Sequence, residues 1–316
     1  PGTSPVTIVG ALRPLFHACA ATALGAFGAG SGRRTRRDAV LLGAVLWGVW
    51  LVAGTELLGA ANALTRPALI AWWGLPSLAL PMWAIWRMRA ETPSGRAARR
   101  PVRLDWPATA MTVSVLALLL ALGVVAALTP PNNWDAQAYH LSRQVFWMQQ
   151  GSVAHFPTEN LRQTTMPPFA EFAGLHLMIL AGNDHWANLV QWFALAITAI
   201  GASLIARELG ATARGQALAA LLVVCNPMAA MQAVNPKNDV VTAAWLCMLA
   251  LYVLRVHRAG RCRVVDAALL GATLGLLLLT KGTAYLFALP LCAVAAVAIL
   301  RAQGIAGLRT GLMIGL

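Results

Sequence analysis

A chain of 316 residues that is 59% hydrophobic and only 11% charged, with mean hydropathy +0.65, is too apolar for an ordinary soluble domain. Its solid apolar runs of about 18 or more residues read as an all-α polytopic membrane protein and exclude a β-barrel, whose strands would alternate. The net charge of +13 is no nucleic-acid signal, because the Lys and Arg residues sit in short clusters between apolar runs, the pattern that sets membrane topology.

In chain order, residues 1–38 form a poorly defined N-terminal segment. Its apolar stretch is interrupted by Arg13, Pro14 and His17, and it closes on the cluster Arg33, Arg34, Arg36 and Arg37. Residues 39–105 hold two spans, at 39–60 and 67–86, and a basic linker carrying Arg87, Arg89, Arg96, Arg99, Arg100 and Arg103. Pro93, Ser94 and Gly95 break that linker, and its charge assigns it to the cytoplasmic side. A third span at 106–128 opens the main membrane domain, 106–316, and delivers the polar island Asn132–Arg143 to the outer face.

Pro167 to Gly182 is apolar but too short to cross about 30 Å of hydrocarbon, and it carries Glu171 and His176. It reads as an amphipathic helix lying on the outer surface. Spans then follow at 186–206, 216–234, 240–254, 266–280 and 284–300. This topology puts eighteen of the 24 Lys and Arg residues inside. Making 169–182 a span would put Arg255, Arg258, Arg261 and Arg263 outside, against the positive-inside rule.

The five cysteines show no C-x-x-C pair and no histidine at ligand spacing, so they read as small core residues. The chain begins at Pro1 and stops within a fresh apolar run, Gly311–Leu316, as a fragment of a longer protein would.

On this topology three separated segments meet at the outer face. One is the long loop 129–185, with Asp135, Tyr139, His140, Arg143, Arg162 and four of the six histidines. The others are the turn Asn235–Asp239, with Lys237 and Asp239, and Thr280-Lys281-Gly282. Each residue has a plainer reading. Asp135 and Asp239 suit helix N-caps, Lys281 suits snorkelling to headgroups, and His155, His176 and His185 suit a wet surface. Carboxylates and cations gathered from three places suit a different chemistry, transfer from a phosphate-linked lipid donor. A carboxylate takes the proton of an attacking hydroxyl, while Lys and Arg hold the phosphate. Trp134 and Tyr139 offer faces for a sugar ring or isoprenoid.

The order W-D-A-x-x-Y-H-L-x-R-x-x-x-W-x-x-x-G-S-V at 134–153 resembles the first external loop of membrane glycosyltransferases of the GT-C superfamily. The resemblance continues through F-P-T-x-N-L-R-Q at 156–163, M-P-P-F-A-E at 166–171, N-P-K-N-D-V at 235–240 and L-L-L-T-K-G-T at 277–283. The nearest branch holds protein O-mannosyltransferases, lipid A aminoarabinose transferases and bacterial glycosyltransferase family 39-like enzymes. The resemblance implies a GT-C-like bundle with amphipathic juxtamembrane helices in the first long external loop. It also implies an inverting transferase that uses a polyprenyl-phosphate sugar in a bacterial plasma membrane, working on the periplasmic or extracellular side. The acceptor would be a glycan, lipid or protein hydroxyl.

The resemblance carries the role of base or acceptor anchor onto Asp135, of second acid onto Asp239, and of phosphate contact onto Lys281. Arg143, His140, Tyr139, Lys237 and Arg162 join them as substrate-binding candidates. Many relatives show two adjacent acids in the first loop, whereas Ala136 follows Asp135 here. No cofactor is therefore assigned, and the metal question stays open. Two other classes stand beside this reading: a transporter or flippase of lipid-linked sugars, and a non-catalytic membrane scaffold. The first expects charges on broken helices in mid-membrane, whereas nearly all charges here sit at span ends.

Overall fold

The computed structural model describes residues 35–90 and 105–315, and every regular element among them is helical. Residues 1–34, with Cys19, Arg33 and Arg34, and the linker 91–104 lie outside the described residues.

Helices α1 (Arg36–Ala60), α2 (Arg66–Ala90) and α3 (Trp106–Leu128) occupy the first three predicted spans. Their starts follow from capping chemistry. The Asp38 carboxylate accepts from the Thr35 backbone N–H at 2.7 Å, and Asp105 caps α3 by accepting from the Ala108 N–H at 3.1 Å. Pro107 sits in the first turn of α3, where a missing N–H breaks no helical bond. Along α3 only Ala108, Val115 and Ala126 are buried, an exposure that an apolar helix tolerates in hydrocarbon and not in water.

A π-helical turn, Ala136–His140, leads into α4 (Leu141–Gln150), followed by the short α5 (Arg162–Thr165) and by α6 (Phe169–Ala181). The remaining bundle is α7 (Leu189–Glu208), α8 (Ala213–Val224), α9 (Pro227–Ala233), α10 (Asp239–Ala259), α11 (Val264–Leu278) and α12 (Ala284–Gly315). Helix α10 lies at the centre, packed against α7, α11 and α12, with Met248, Leu249 and Leu251 fully buried. At Gly201 on α7 a Cβ would stand 2.8 Å from Cys247 Sγ on α10, so only glycine permits this close crossing.

Among the described residues five helices are long and apolar enough to cross a membrane, or six if α8 and α9 form one broken span. The sequence pattern suggests a continuous span at 216–234, and the chain instead bends by 63° between Val224 and Pro227. The cause is local. Pro227 cannot donate into the preceding turn, and the Asn226 side chain accepts from Met228 N and Ala229 N at 3.0 and 3.2 Å, starting a new helix. Helix α12 likewise runs past Arg301, with a break at Gly304 (φ 65°), a conformation that favours glycine.

Helix ends sort onto two faces. On one face Asp38 pairs with Arg207 at 3.4 Å and with Arg255, Arg37 donates to Ser203 and Gln216, and Arg214 pairs with Asp105. Several residues of the basic clusters are thus also interhelical ties. On the other face the N–H of Leu64 donates to Gly151 O, Asn188 to Thr129 O, Gln191 to Gln232 O and Asn235 O, and Asn238 to Thr280 O. The loop 129–188 and the turns 61–65, 234–238 and 279–283 therefore gather at one end of the bundle.

Helix α6 departs most from expectation. Its 13 residues rise only about 20 Å, too short to cross the membrane. It does not lie on the surface, however. Ten of its residues, from Phe169 to Ile179, are buried, and it packs against α4, α2 and α1. Its polar residues find partners inside, which is how an apparently amphipathic helix becomes a core element. Helix α4 keeps the amphipathic form, with Leu141, Gln144 and Trp147 turned inward at helical spacing.

His176 on α6 is accordingly no surface histidine, and is only 3% exposed. Trp73 donates to its Nδ1 at 3.1 Å, and its Nε2 lies 3.0 Å from the Thr55 hydroxyl, which itself donates to Leu51 O. Helices α1, α2 and α6 are tied through this one neutral imidazole. Burial pushes its pKa down to about 3. A depressed folded-state value means that this stabilisation is complete above the unfolded value of about 6.5 and declines as pH falls below it. Between pH 7.5 and 5.5 the wild type is expected to lose about 1.4 kcal/mol more than His176→Phe, read by unfolding in detergent. Equal pH slopes for the two proteins would assign the loss to other groups.

The cysteines also differ from expectation. Cys225 is exposed at the end of α8 and Cys262 lies between α10 and α11, whereas half-buried Cys247 and Cys292 pack against neighbouring helices, so only the latter two approach the expected core setting.

Candidate active site

At the loop-bearing end, side chains of opposite charge alternate through space. An Arg162 Nη lies 3.9 Å from an Asp135 carboxylate oxygen, the other oxygen of Asp135 lies 3.4 Å from Lys237 Nζ, and Lys237 lies 3.9 Å from Asp239. Lys281 closes the chain by donating to the opposite oxygen of Asp239. Asp135, Asp239 and Lys281 are each about one-third exposed, so a substrate can reach them. The Tyr139 ring lies beneath the Arg162 guanidinium at 5.6 Å.

Local chemistry explains why these side chains are free to meet. At the start of the π turn Asn133 does the capping, its Oδ1 accepting from Asp135 N at 3.0 Å and Ala136 N at 3.4 Å. Asp135 makes no capping bond, and its carboxylate is left for its cation neighbours. Asp239 is the first residue of α10, and no side-chain cap forms there either. Asn238 turns to Thr280 O at 3.0 Å, which ties the start of α10 to the segment carrying Lys281. A π turn widens the backbone by one residue and places Tyr139 beside the acids. Burial first, then the Asp135 carboxylate, pushes the Tyr139 phenol above its ordinary pKa, so it stays a neutral hydrogen-bond donor.

Two of the sequence candidates point the other way. His140 and Arg143 are both 2% exposed and converge on Glu171, whose Oε1 lies 2.8 Å from His140 Nδ1 and 3.4 Å from an Arg143 Nη. Arg143 also donates twice to Met166 O at 3.0 Å and stacks on Trp147 at 4.4 Å. It is thereby spent inside the protein and away from the Asp135 cluster. Glu171 is the residue that sequence reasoning left out of the candidate set, although it closes the M-P-P-F-A-E block and is 1% exposed. Trp134 is 82% exposed beside Asp135, open to lipid or ligand.

Among the described residues no group of three or more His, Cys, Asp or Glu side chains is placed to hold a metal ion. Lys237 sits between the two acids of the cluster, a donor set that suits an anionic ligand. Chemically the arrangement offers one or two carboxylates for proton transfer, three cations for a phosphate and a neutral phenol.

Residues 165–310 match the family described as dolichyl-phosphate-mannose-protein mannosyltransferase, part of the GT-C superfamily. The resemblance read from sequence motifs thus holds at the level of GT-C membrane glycosyltransferases, while the finer branch is not distinguished. Glu171, Lys237, Asp239 and Lys281 fall within the matched residues, whereas Asp135, Tyr139, His140, Arg143 and Arg162 precede them. No curated protein and no solved structure matches the chain.

Proposed function

We propose that this chain is an inverting glycosyltransferase that moves a sugar from a polyprenyl-phosphate donor to an acceptor hydroxyl, at the periplasmic or extracellular face of a bacterial plasma membrane. The observation that carries this reading is the alternating cluster of Arg162, Asp135, Lys237, Asp239 and Lys281, drawn from three segments at one end of a membrane bundle.

In this reading Asp135 takes the proton of the acceptor hydroxyl as its oxygen attacks the anomeric carbon. The bond from that carbon to the phosphate oxygen breaks, and the lipid phosphate leaves with the electron pair. Lys281, Lys237 and Arg162 stabilise the charge that collects there. Asp239 holds Lys281 and Lys237 in place, and the Tyr139 hydroxyl donates to substrate oxygens. A single displacement of this kind inverts the anomeric centre. The acceptor is a glycan, lipid or protein hydroxyl presented at the same face.

Lys281→Met tests the donor-phosphate role. Surface ion pairs contribute little to stability, so the half-exposed pair with Asp239 can be lost without unfolding. The variant is expected to raise the KM for the lipid-phosphate sugar about 10- to 100-fold, the worth of one hydrogen bond to a charged group. An unchanged donor KM in a folded variant would remove Lys281 from the site.

A further inference from the structure

A cavity of about 520 Å³ opens beside the charged cluster and plays no part in the chemistry above. It shares two walls with that cluster. Gln163, Thr164 and Thr165 follow Arg162 in α5, and Leu278 and Leu279 precede Lys281. Phe156 and Tyr285 supply aromatic surface, with Trp147 and Phe172 buried behind it. Its volume falls within the range of about 300–1,000 Å³ typical of small-ligand sites.

Two charged groups face this cavity from opposite origins. Arg143 is 2% exposed, and its Nε has no hydrogen-bond partner among the described residues. Its charge, however, is answered by Glu171. Glu56 belongs to α1, outside the family match, and has no hydrogen-bond or ion-pair partner among the described residues. It stands one turn before the end of α1, exposed at the loop-bearing end of the bundle, where a ligand can reach it. The α1 end is held against the loop by Ser152 Oγ, which donates to Gly59 O at 2.9 Å, so the backbone that carries Glu56 is fixed at the cavity rim.

Of the titratable side chains that line the cavity, Glu56, Arg143, His155 and Tyr285, Glu56 alone is a carboxylate, and it has no counter-ion there. A phosphate would be repelled from Glu56 and is better placed at Lys237 and Lys281, and an isoprenoid tail gains nothing beside a carboxylate. What remains is a neutral group rich in hydroxyl donors with apolar ring faces for Phe156 and Tyr285. We propose that this cavity is a carbohydrate subsite of the transferase and that Glu56 is its specificity-determining residue, accepting hydrogen bonds from sugar hydroxyls. The inference rests on the transferase reading for its place beside the reaction centre. The sugar comes either from the donor or from the acceptor, and the two sources differ in what they carry.

Equilibrium binding to the full chain in detergent separates them without any turnover. The probes are farnesyl phosphate, farnesyl-phosphate mannose, farnesyl-phosphate glucose, methyl α-mannoside and methyl α-glucoside. For a donor sugar, the wild type binds one farnesyl-phosphate sugar about tenfold more tightly than farnesyl phosphate, and Glu56→Gln removes that advantage while binding farnesyl phosphate unchanged. For an acceptor sugar, the wild type binds a methyl glycoside and Glu56→Gln weakens it about tenfold, with donor binding unmoved. Either result supports the subsite, including in a preparation that transfers no sugar, a result that would count against the transferase alone. Identical binding of all probes by wild type and Glu56→Gln overturns the proposal, as does a wild type that binds no sugar-bearing probe better than farnesyl phosphate. Since Glu56 has no partner, Glu56→Gln is expected to keep the wild-type melting temperature; if it does not, Glu56→Asp, which retains the charge on a shorter arm, serves in its place.

Discussion

Asp135→Asn is expected to lower sugar transfer by about 10²- to 10⁴-fold, the usual worth of a positioned general base. The amide keeps the size and polarity of the carboxylate but cannot take the proton of the acceptor hydroxyl. Loss of fold would not explain the defect. The partners of Asp135 are Arg162, 60% exposed, and Lys237, 13% exposed, at 3.9 and 3.4 Å; an exposed pair like the first is worth about 0–1 kcal/mol, and Lys237 keeps Asp239 at 3.9 Å as a second carboxylate. Asn133 also leaves the capping of the π turn intact. The variant should therefore insert and melt as the wild type does. A folded variant with full transfer would remove Asp135 from the reaction.

The largest effect on stability is expected from Glu171→Ala. Glu171 is 1% exposed and its Oε1 holds both His140 and Arg143, so its removal strands a guanidinium that is 2% exposed. Breaking a buried pair by deleting one partner costs about 3–5 kcal/mol, because the remaining charge has lost its water and its counter-ion. Burial already lowers the Arg143 pKa, with Glu171 the main opposing influence. Glu171→Gln, which keeps an acceptor for His140, should lose less than Glu171→Ala in unfolding by denaturant in detergent. A Glu171→Ala protein as stable as the wild type would show that Met166 O and the Trp147 ring suffice for Arg143.

The two variants separate what the loop-bearing end does from what supports it. Asp135, Asp239 and Lys281 are reachable by a substrate, with Lys237 lying deeper between the two acids, while His140, Glu171 and Arg143 form a buried brace directly behind Tyr139. The rings of Tyr139 and His140 lie 4.3 Å apart, and from there the first meets Arg162 and the second meets Glu171.

The parts of the fold that were legible in the sequence are those governed by local physics. Helix α3 runs from Trp106 to Leu128 as expected, because Asp105 and Pro107 start it and Pro130 and Pro131, directly after Thr129, end it. That charged side chains collect at helix ends was legible from the basic clusters, whereas the span expected at 266–280 is a helix of only 15 residues. The break at Asn226-Pro227 carried its own signal, an N-cap followed by proline, hidden within an otherwise continuous apolar run. The burial of α6 was not legible, because what covers Glu171 and His176 comes from distant segments: His140 and Arg143 in one case, Thr55 and Trp73 in the other. A short helix with a charge and a histidine looks amphipathic until its partners are known. Proximity of the first loop, the Asn235–Asp239 turn and Lys281 followed from topology. The inward turn of Arg143 did not, because sequence gives no direction to a side chain in a loop.

The central claim is best tested by transfer itself. Membranes containing the complete chain should incorporate label from a β-linked polyprenyl-phosphate sugar, in proportion to donor, with the product in the α configuration and with Asp135→Asn at the level of vector membranes. Incorporation by the wild type that is no greater than that of vector membranes across several such donors, or a product that keeps the donor's configuration, would contradict the account.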